Sequence, residues 1–249
     1  ITAHYTPTTP TTPPLPTYHY NITGHPHAVS TIDTGTATGN YTYNADGAMT
    51  TKPGGTLTYD PQQRLTAYTG THSETYLYST SNQRLIRQAG TTRTLYLLGG
   101  IEVEAVGTSA TVTKYITIGG TNIATRTSTS ATVKWNCGNM QNSATCQVDE
   151  ASGSIPARKR YKPYGEERTT PALGTDHNFL GQPKDTTGLD YLNNRYYDPA
   201  TGNFISVDPL VGKTGTPYLY AGGRPSTSSD PSGLSPEDAC LTQGSNALK

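Results

Sequence analysis

The sequence predicts an all-β protein: consecutive antiparallel hairpins forming an extended curved sheet, closed on the C-terminal side by a turn-rich unit. Three observations lead there. Tyrosine pairs at Tyr18/Tyr20, Tyr41/Tyr43 and Tyr76/Tyr78 have the period of two that puts both members on one face of a strand. Turn chemistry falls at Asp46-Gly47, Pro53-Gly54-Gly55, Asp60-Pro61, Ser81-Asn82, Gly90, Gly99-Gly100, Gly107 and Gly119-Gly120. That is a turn about every 8–12 residues, the rhythm of hairpins. A repeat also runs through the region. Tyr43-Asn44, Tyr59-Asp60, Tyr78-Ser79, Tyr96-Leu97 and Tyr115-Ile116 are 16, 19, 18 and 19 residues apart, and Arg64-Leu65 and Arg84-Leu85 follow two of them. One such unit is too small to bury its own face, whereas stacked units share a core.

Composition agrees. Only 14% of the 249 residues are charged, which separates the chain from most disordered sequences. Its 18 tyrosines, against 2 phenylalanines and 1 tryptophan, predict a thin, amphipathic core between ribbons. A formal net charge of zero gives no electrostatic reason to expect nucleic acid or an anionic membrane as partner. No apolar run approaches the roughly 18 residues of a membrane-spanning helix, and residue 1 does not open a signal peptide.

Four stretches divide the chain. Residues 1–16 alternate Thr and Pro and read as an extended linker. Residues 17–133 are the hairpin repeats. Residues 134–234 are denser in Asp-Pro, Gly and Tyr, with Asp-Pro at Asp198, Asp208 and Asp230. Residues 235–249 form a tail. Its Ser235-Pro236-Glu237-Asp238 is the best helix start in the chain: an N-cap, a proline at the first position and acids in the first turn. Cys137 and Cys146 bracket a polar loop. A disulfide there fits an exported protein, and two free thiols is the alternative. Cys240 has no evident mate. Arg158-Lys159-Arg160 reads as a solvated strand face, with a processing site as the other reading.

The segment Tyr161-Lys162-Pro163-Tyr164-Gly165-Glu166, then Phe179-Leu180-Gly181-Gln182, Gly188-Leu189, Tyr191, Arg195-Tyr196-Tyr197-Asp198-Pro199, Gly202, Phe204 and Asp208-Pro209-Leu210 resembles the repeat-associated core domain of the RHS/YD-repeat proteins. The Tyr units before it are similar to the YD repeats of that family, with the Tyr-Asp dipeptide intact at Tyr59-Asp60. The resemblance implies a β-strip that spirals into a hollow shell in full-length relatives. It implies a secreted or envelope-displayed bacterial protein whose partner is the rest of its own longer chain, a C-terminal cargo or a cell surface. Toxin delivery and adhesion are the family's contexts. Between Trp135 and Asp149 the family's histidines are missing, so no role of theirs carries over. Tyr164, Gly165, Gly188, Arg195, Tyr196, Tyr197, Asp198, Gly202 and Phe204 are the core-domain motif. Arg195 has two readings, a buried structural cation in a strand or a catalytic one.

Asp230-Pro231-Ser232-Gly233-Leu234 resembles the end of that core domain. In self-processing relatives two Asp residues form an aspartic-protease-like pair that cuts just after the Leu. Here the pair would be Asp208 and Asp230, and the bond Leu234–Ser235. Such chemistry needs two carboxyls in a partly desolvated site, one of them protonated. Asp208 departs from the pattern, being preceded by Val207 and followed by a displaced Gly212. In the other reading both aspartates only cap turns before Pro. The 15 residues after Leu234 are too few for an enzyme and read as the start of a variable module. No cofactor or metal is expected. His19, His25 and His27 are scattered loop residues, and Asp176-His177 lacks a nucleophile turn. Exposed tyrosines also permit cell-wall or carbohydrate binding.

Overall fold

The computed structural model describes residues 15–35, 37–155, 157–169 and 172–238. Most of the Thr/Pro linker and Cys240 lie outside them. A twelve-stranded antiparallel sheet runs from Thr42–Tyr43 to Ala144–Asp149 with its strands in strict sequence order. A three-stranded sheet (Thr17–His19, Thr31–Asp33, Thr38–Asn40) precedes it. Another (Asp190–Leu192, Arg195–Asp198, Asn203–Phe204) lies in the C-terminal segment. The predicted hairpins are therefore present, and the sheet continues through residue 133 without a break.

One five-residue turn explains why these residues form hairpins. At 44–48, 60–64, 79–83 and 139–143, the first residue donates its N–H to the carbonyl of the fifth at 2.8–3.0 Å. The fourth residue's N–H returns to the first carbonyl. The first side chain then accepts from the amides of the third and fifth residues. Asn44 Oδ1 does so at 3.1 and 2.8 Å, Asp60 Oδ1 at 3.0 and 3.0 Å, Ser79 Oγ at 3.2 and 3.1 Å, and Asn139 Oδ1 at 2.9 and 2.9 Å. The fourth residue is left-handed, with φ of 79° at Gly47, 60° at Gln63, 63° at Asn82 and 61° at Asn142. This is a type I turn closed by a bulge, and the strand register shifts just before each one. The Tyr-plus-cap dipeptide is thus a structural rule. Tyr43, Tyr59 and Tyr78 turn inward against the core, while the next residue fastens the turn.

The rule lapses after Tyr96 and Tyr115. Leu97 and Ile116 follow these tyrosines where a capping side chain would be needed, and the chain turns through Gly99-Gly100 and through the two-residue Gly119-Gly120 loop instead. Those two units share the spacing but not the turn. The same backbone turn returns in the C-terminal segment at 162–166 and 185–189.

The inner face of the sheet is filled by that segment. Met49, Leu57, Leu65, Tyr68 and Tyr76 of the sheet share one cluster with Val29, Ile32 and Tyr41 on one side and Leu189, Tyr191, Tyr196 and Ile205 on the other. A second cluster, around Phe179, Leu192, Tyr197, Phe204 and Tyr220, lies within the C-terminal segment. Tyrosines serve both clusters because the rings pack while the hydroxyls reach backbone carbonyls. Tyr78 donates to Leu65 O at 2.6 Å, Tyr197 to Tyr164 O at 2.7 Å, Tyr161 to Ala144 O at 2.8 Å and Tyr218 to Gly47 O at 2.8 Å.

A buried charge cluster fixes the two layers in register. Opposite the inward Tyr of successive hairpins stand Met49, Leu65 and then Arg84. Arg84 therefore puts a guanidinium where a core side chain belongs. Its Nη1 meets Asp185 Oδ2 at 2.6 Å, and Arg87 Nη1 meets Asp185 Oδ1 at 3.2 Å. Tyr96 and Tyr191 rings cover Arg84 at 4.5 Å each. Burial disfavours the Arg84 charge, but Asp185 and the surrounding hydroxyls outweigh it and hold the pKa up. Next to it, buried Glu74 accepts from Thr186 N at 3.0 Å and from Tyr76 OH at 2.8 Å.

Two local expectations are corrected. No helix starts at Ser235 among the described residues. Glu237–Asp238 pairs instead as a strand with Ser228–Ser229, because Pro236 suits extended chain as well as a helix start. The basic run is not a solvated face at its centre. Lys159 is buried, its Nζ 2.8 Å from Asn178 Oδ1 and 3.1 Å from Glu167 Oε1.

Two stability measurements check these accounts. Asp60→Ala, which frees two turn amides, lowers the unfolding free energy by about 1–2 kcal/mol, and Asp60→Asn retains most of it. Asp185→Ala strands two buried arginines and costs about 3–5 kcal/mol, read from denaturant midpoints at constant slope.

Candidate functional site

Arg195 projects from Arg195–Asp198 into the fold, where the Phe204 ring lies 3.6 Å from the guanidinium carbon. Its Nε donates to Gly233 O, and its Nη1 lies 3.5 Å from Pro217 O. Its Nη2 faces both candidate aspartates, with Asp230 Oδ2 at 3.4 Å and Asp208 Oδ2 at 3.6 Å. All three side chains are almost wholly buried. The structure thus brings Asp208 and Asp230, 22 residues apart in the chain, onto one guanidinium nitrogen.

Each aspartate also organises its own turn. Asp208 Oδ1 accepts from Leu210 N at 2.7 Å and Oδ2 from Thr214 Oγ1 at 3.0 Å, which starts the single helical turn Val211–Thr214. Asp230 Oδ1 accepts from Ser232 Oγ and from Leu234 N, both at 3.1 Å. Gly233 between them has φ of 68°, and a Cβ there would lie 2.6 Å from Leu192 O, so the turn admits only glycine. Burial pushes the Asp230 carboxyl up. Arg195, Ser232 and the backbone amides of Leu234 and Ser235 oppose the rise without cancelling it. Burial pulls Arg195 down, against the pull of Asp208 and Asp230.

The arrangement differs from two carboxyls in contact that share a proton. A cation stands between them, and burial biases Asp230 toward its neutral form. Asp230 also touches the amide nitrogens on both sides of Leu234. It is therefore placed to protonate the amine that leaves if the Leu234–Ser235 bond breaks. A cavity of about 220 Å³ adjoins this point, lined in part by Tyr78, Tyr191, Arg195, Val207 and Leu234.

The remaining motif residues build the frame. Tyr164 accepts from Tyr197 OH through its carbonyl and sets its ring edge-on to Tyr220. Gly165 has φ of 88°, and a Cβ would strike the Phe179 ring at 2.6 Å. Gly188 and Gly202 complete turns. Tyr196 lies between Tyr76 and Tyr191. Asp198 pairs with Lys52 at 2.6 Å and accepts from Ala200 N. Cys137 and Cys146 are directly opposed across their hairpin, Cα atoms 4.9 Å apart, and joined through sulfur. Most repeat tyrosines are buried or half-buried, while Tyr18 and Tyr20 are exposed.

Sequence reasoning noted Arg84 only as part of a repeat and foresaw neither its pairing with Asp185 nor the burial of Glu74. A signal existed for Arg84, which the turn frame places level with Met49 and Leu65. Nothing local marks its partner, 101 residues away. Asp190 was missed too. Neither of its carboxylate oxygens has a hydrogen-bond partner among the described residues, and burial drives its pKa well up.

No family model matches the chain. Toxin subunit YenC1 of Yersinia entomophaga is 26% identical over 221 residues, 74% of this chain and 22% of that protein. The tRNA3(Ser)-specific nuclease WapA of Bacillus spizizenii is 26% identical over 208 residues, 77% of this chain and 9% of its own length. The crystal structure of TcdB2-TccC3 superposes with a TM-score of 0.70 at 20% identity, over 88% of this chain and 14% of that one. The chain spans less than a quarter of each. The chain is thus similar in sequence to toxin subunits and shares its all-β fold with one of known structure.

The bridge between Cys137 and Cys146 is open to direct chemistry. Alkylation of the denatured, unreduced chain labels Cys240 alone, and reduction exposes all three cysteines. Reduction of the folded chain costs about 2–3 kcal/mol, the loop-closure entropy of so short a loop. Three labels without reductant would show free thiols.

Proposed function

We propose that this chain is the C-terminal part of an RHS/YD-repeat shell, made by a bacterium for secretion or display, that encloses or presents a C-terminal cargo. In this reading residues 17–133 are YD repeats and 134–234 the repeat-associated core domain, the two sharing one sheet. Residues 235–249 begin the cargo module. The observation that carries the reading is the sequential sheet whose inner tyrosine face is filled by the motif-bearing segment 161–234. The similarity to a toxin subunit and to a large nuclease supports cargo delivery, and the paired cysteines suit an oxidising compartment. Fractionation of the producing cells tests it. The chain is expected in the medium or envelope with its cysteines oxidised, and a wholly cytoplasmic, reduced chain would overturn the reading.

A second reading is favoured by the contact of Asp230 with the amides of Leu234 and Ser235. Here the core domain hydrolyses its own Leu234–Ser235 bond once. Asp208, facing Arg195, takes a proton from water as the water oxygen adds to the Leu234 carbonyl. Asp230 gives its proton to the Ser235 nitrogen. The products are a Leu234 carboxylate and a free Ser235 amine. Intact mass over a long incubation decides. Loss of Ser235–Lys249, faster as pH falls from neutral into the mildly acidic range and abolished by Asp230→Asn or Asp208→Asn, is expected. An undiminished full-length species at pH 5–6 would sink this reading and leave the shell reading standing.

A further inference from the structure

The sheet and the C-terminal segment meet at a second polar cluster, away from Arg195. His177 lies against Glu102 of Ile101–Val106 and Tyr115 of Ser109–Ile118. Its Nδ1 is 2.9 Å from Gly181 O, and its Nε2 is 2.7 Å from Glu102 Oε1. A carbonyl and a carboxylate only accept hydrogen bonds. Nδ1 must therefore carry its hydrogen, and a neutral ring would aim the Nε2 lone pair straight at a carboxylate. A cation belongs on that line, whether a proton or a metal ion.

The surroundings favour a metal ion. A ligand oxygen of Asp176 joins His177 nitrogen and Glu102 oxygen, with the three atoms all within 4.8 Å of one another. Tyr115 OH stands 3.0 Å from Asp176 Oδ1 and 3.3 Å from Glu102 Oε2. Its single proton is set between two carboxylates. A metal-ligating histidine commonly donates its other nitrogen to a backbone carbonyl, which fixes the ring; Gly181 O does this here. A cavity of about 370 Å³, lined by Glu102, Tyr115 and His177 among others, opens onto the cluster and leaves room for a water ligand.

We infer that Glu102, Asp176 and His177 form a binding site for a divalent transition-metal ion, with zinc the best fit to one imidazole and two carboxylates. Zinc takes such ligands at about 2.0–2.2 Å in a tetrahedral set, so the 2.7 Å His177–Glu102 contact opens slightly to admit it. The ion staples the strand Ile101–Val106 to the loop that carries Asp176 and His177. The site goes beyond the delivery and self-cleavage readings and depends on neither.

The test uses the full chain, freed of metal by chelator and given zinc chloride alone. One zinc per chain is expected to survive gel filtration. The melting temperature should rise by roughly 5–10 °C at a hundredfold excess over the dissociation constant, and the rise should vanish in His177→Ala and Glu102→Gln. Because those variants can fail to fold, cobalt(II) on the unaltered chain gives an independent reading. Visible bands of four- or five-coordinate cobalt, displaced by one equivalent of zinc, support the site. Only the spectrum of aqueous cobalt, no retained zinc, or an undiminished melting shift in His177→Ala would overturn it.

Discussion

The Asp185 carboxylate, gripped by Arg84 and Arg87, is the contact on which the rest of the architecture depends. An antiparallel sheet built from similar hairpins has many near-equivalent ways to pack on a second layer, since one tyrosine face looks much like the next. Burial of apolar area does not choose among them, because it is non-directional. A buried guanidinium does choose. Left unpaired it is prohibitively costly to desolvate, and one carboxylate at one register satisfies it. Glu74 with Thr186 repeats the device on the next residue, so loop 185–189 is held at its first two positions.

From that register the rest follows. With loop 185–189 seated, Leu189, Tyr191 and Tyr196 reach the inner face of the sheet, and the short sheet that begins at Asp190 is positioned. Arg195, on its middle strand, is then aimed at the two turns that carry Asp208 and Asp230. The candidate site is thus built on the clamp. Its two aspartates serve first as turn residues and second as charges: Asp230 divides the roles between its two oxygens, whereas Asp208 Oδ2 faces both Thr214 and Arg195. The turn-capping and chemical readings of these residues are therefore compatible.

The fold class and the hairpin rhythm were legible in the sequence because they rest on local rules. Period two, turn residues and the Tyr-plus-cap dipeptide all act within a few positions. The Asp208, Asp230 and Leu234 grouping was legible only through motif resemblance, since spacing alone does not bring residue 208 to residue 230. Arg195 between them was not foreseen, nor was Lys159 in the interior, because each is explained by partners distant in sequence. The Ser235 helix start failed for the opposite reason. Its local signals were good, but strand pairing with Ser228–Ser229 outcompeted them.

The recurrence of one turn in both the repeats and the C-terminal segment bears on how the chain reaches its native state. Each such hairpin closes between neighbours, so contact order along the repeats is low and folding can proceed stepwise from whichever end emerges first. The Arg84–Asp185 bond, spanning 101 residues, cannot join until the C-terminal segment is available. A chain threaded through a pore or leaving a ribosome would therefore carry a formed but unlocked strip, with Arg84 still hydrated. The final lock is a single long-range event, and its timing separates vectorial assembly of the strip from commitment to the finished particle.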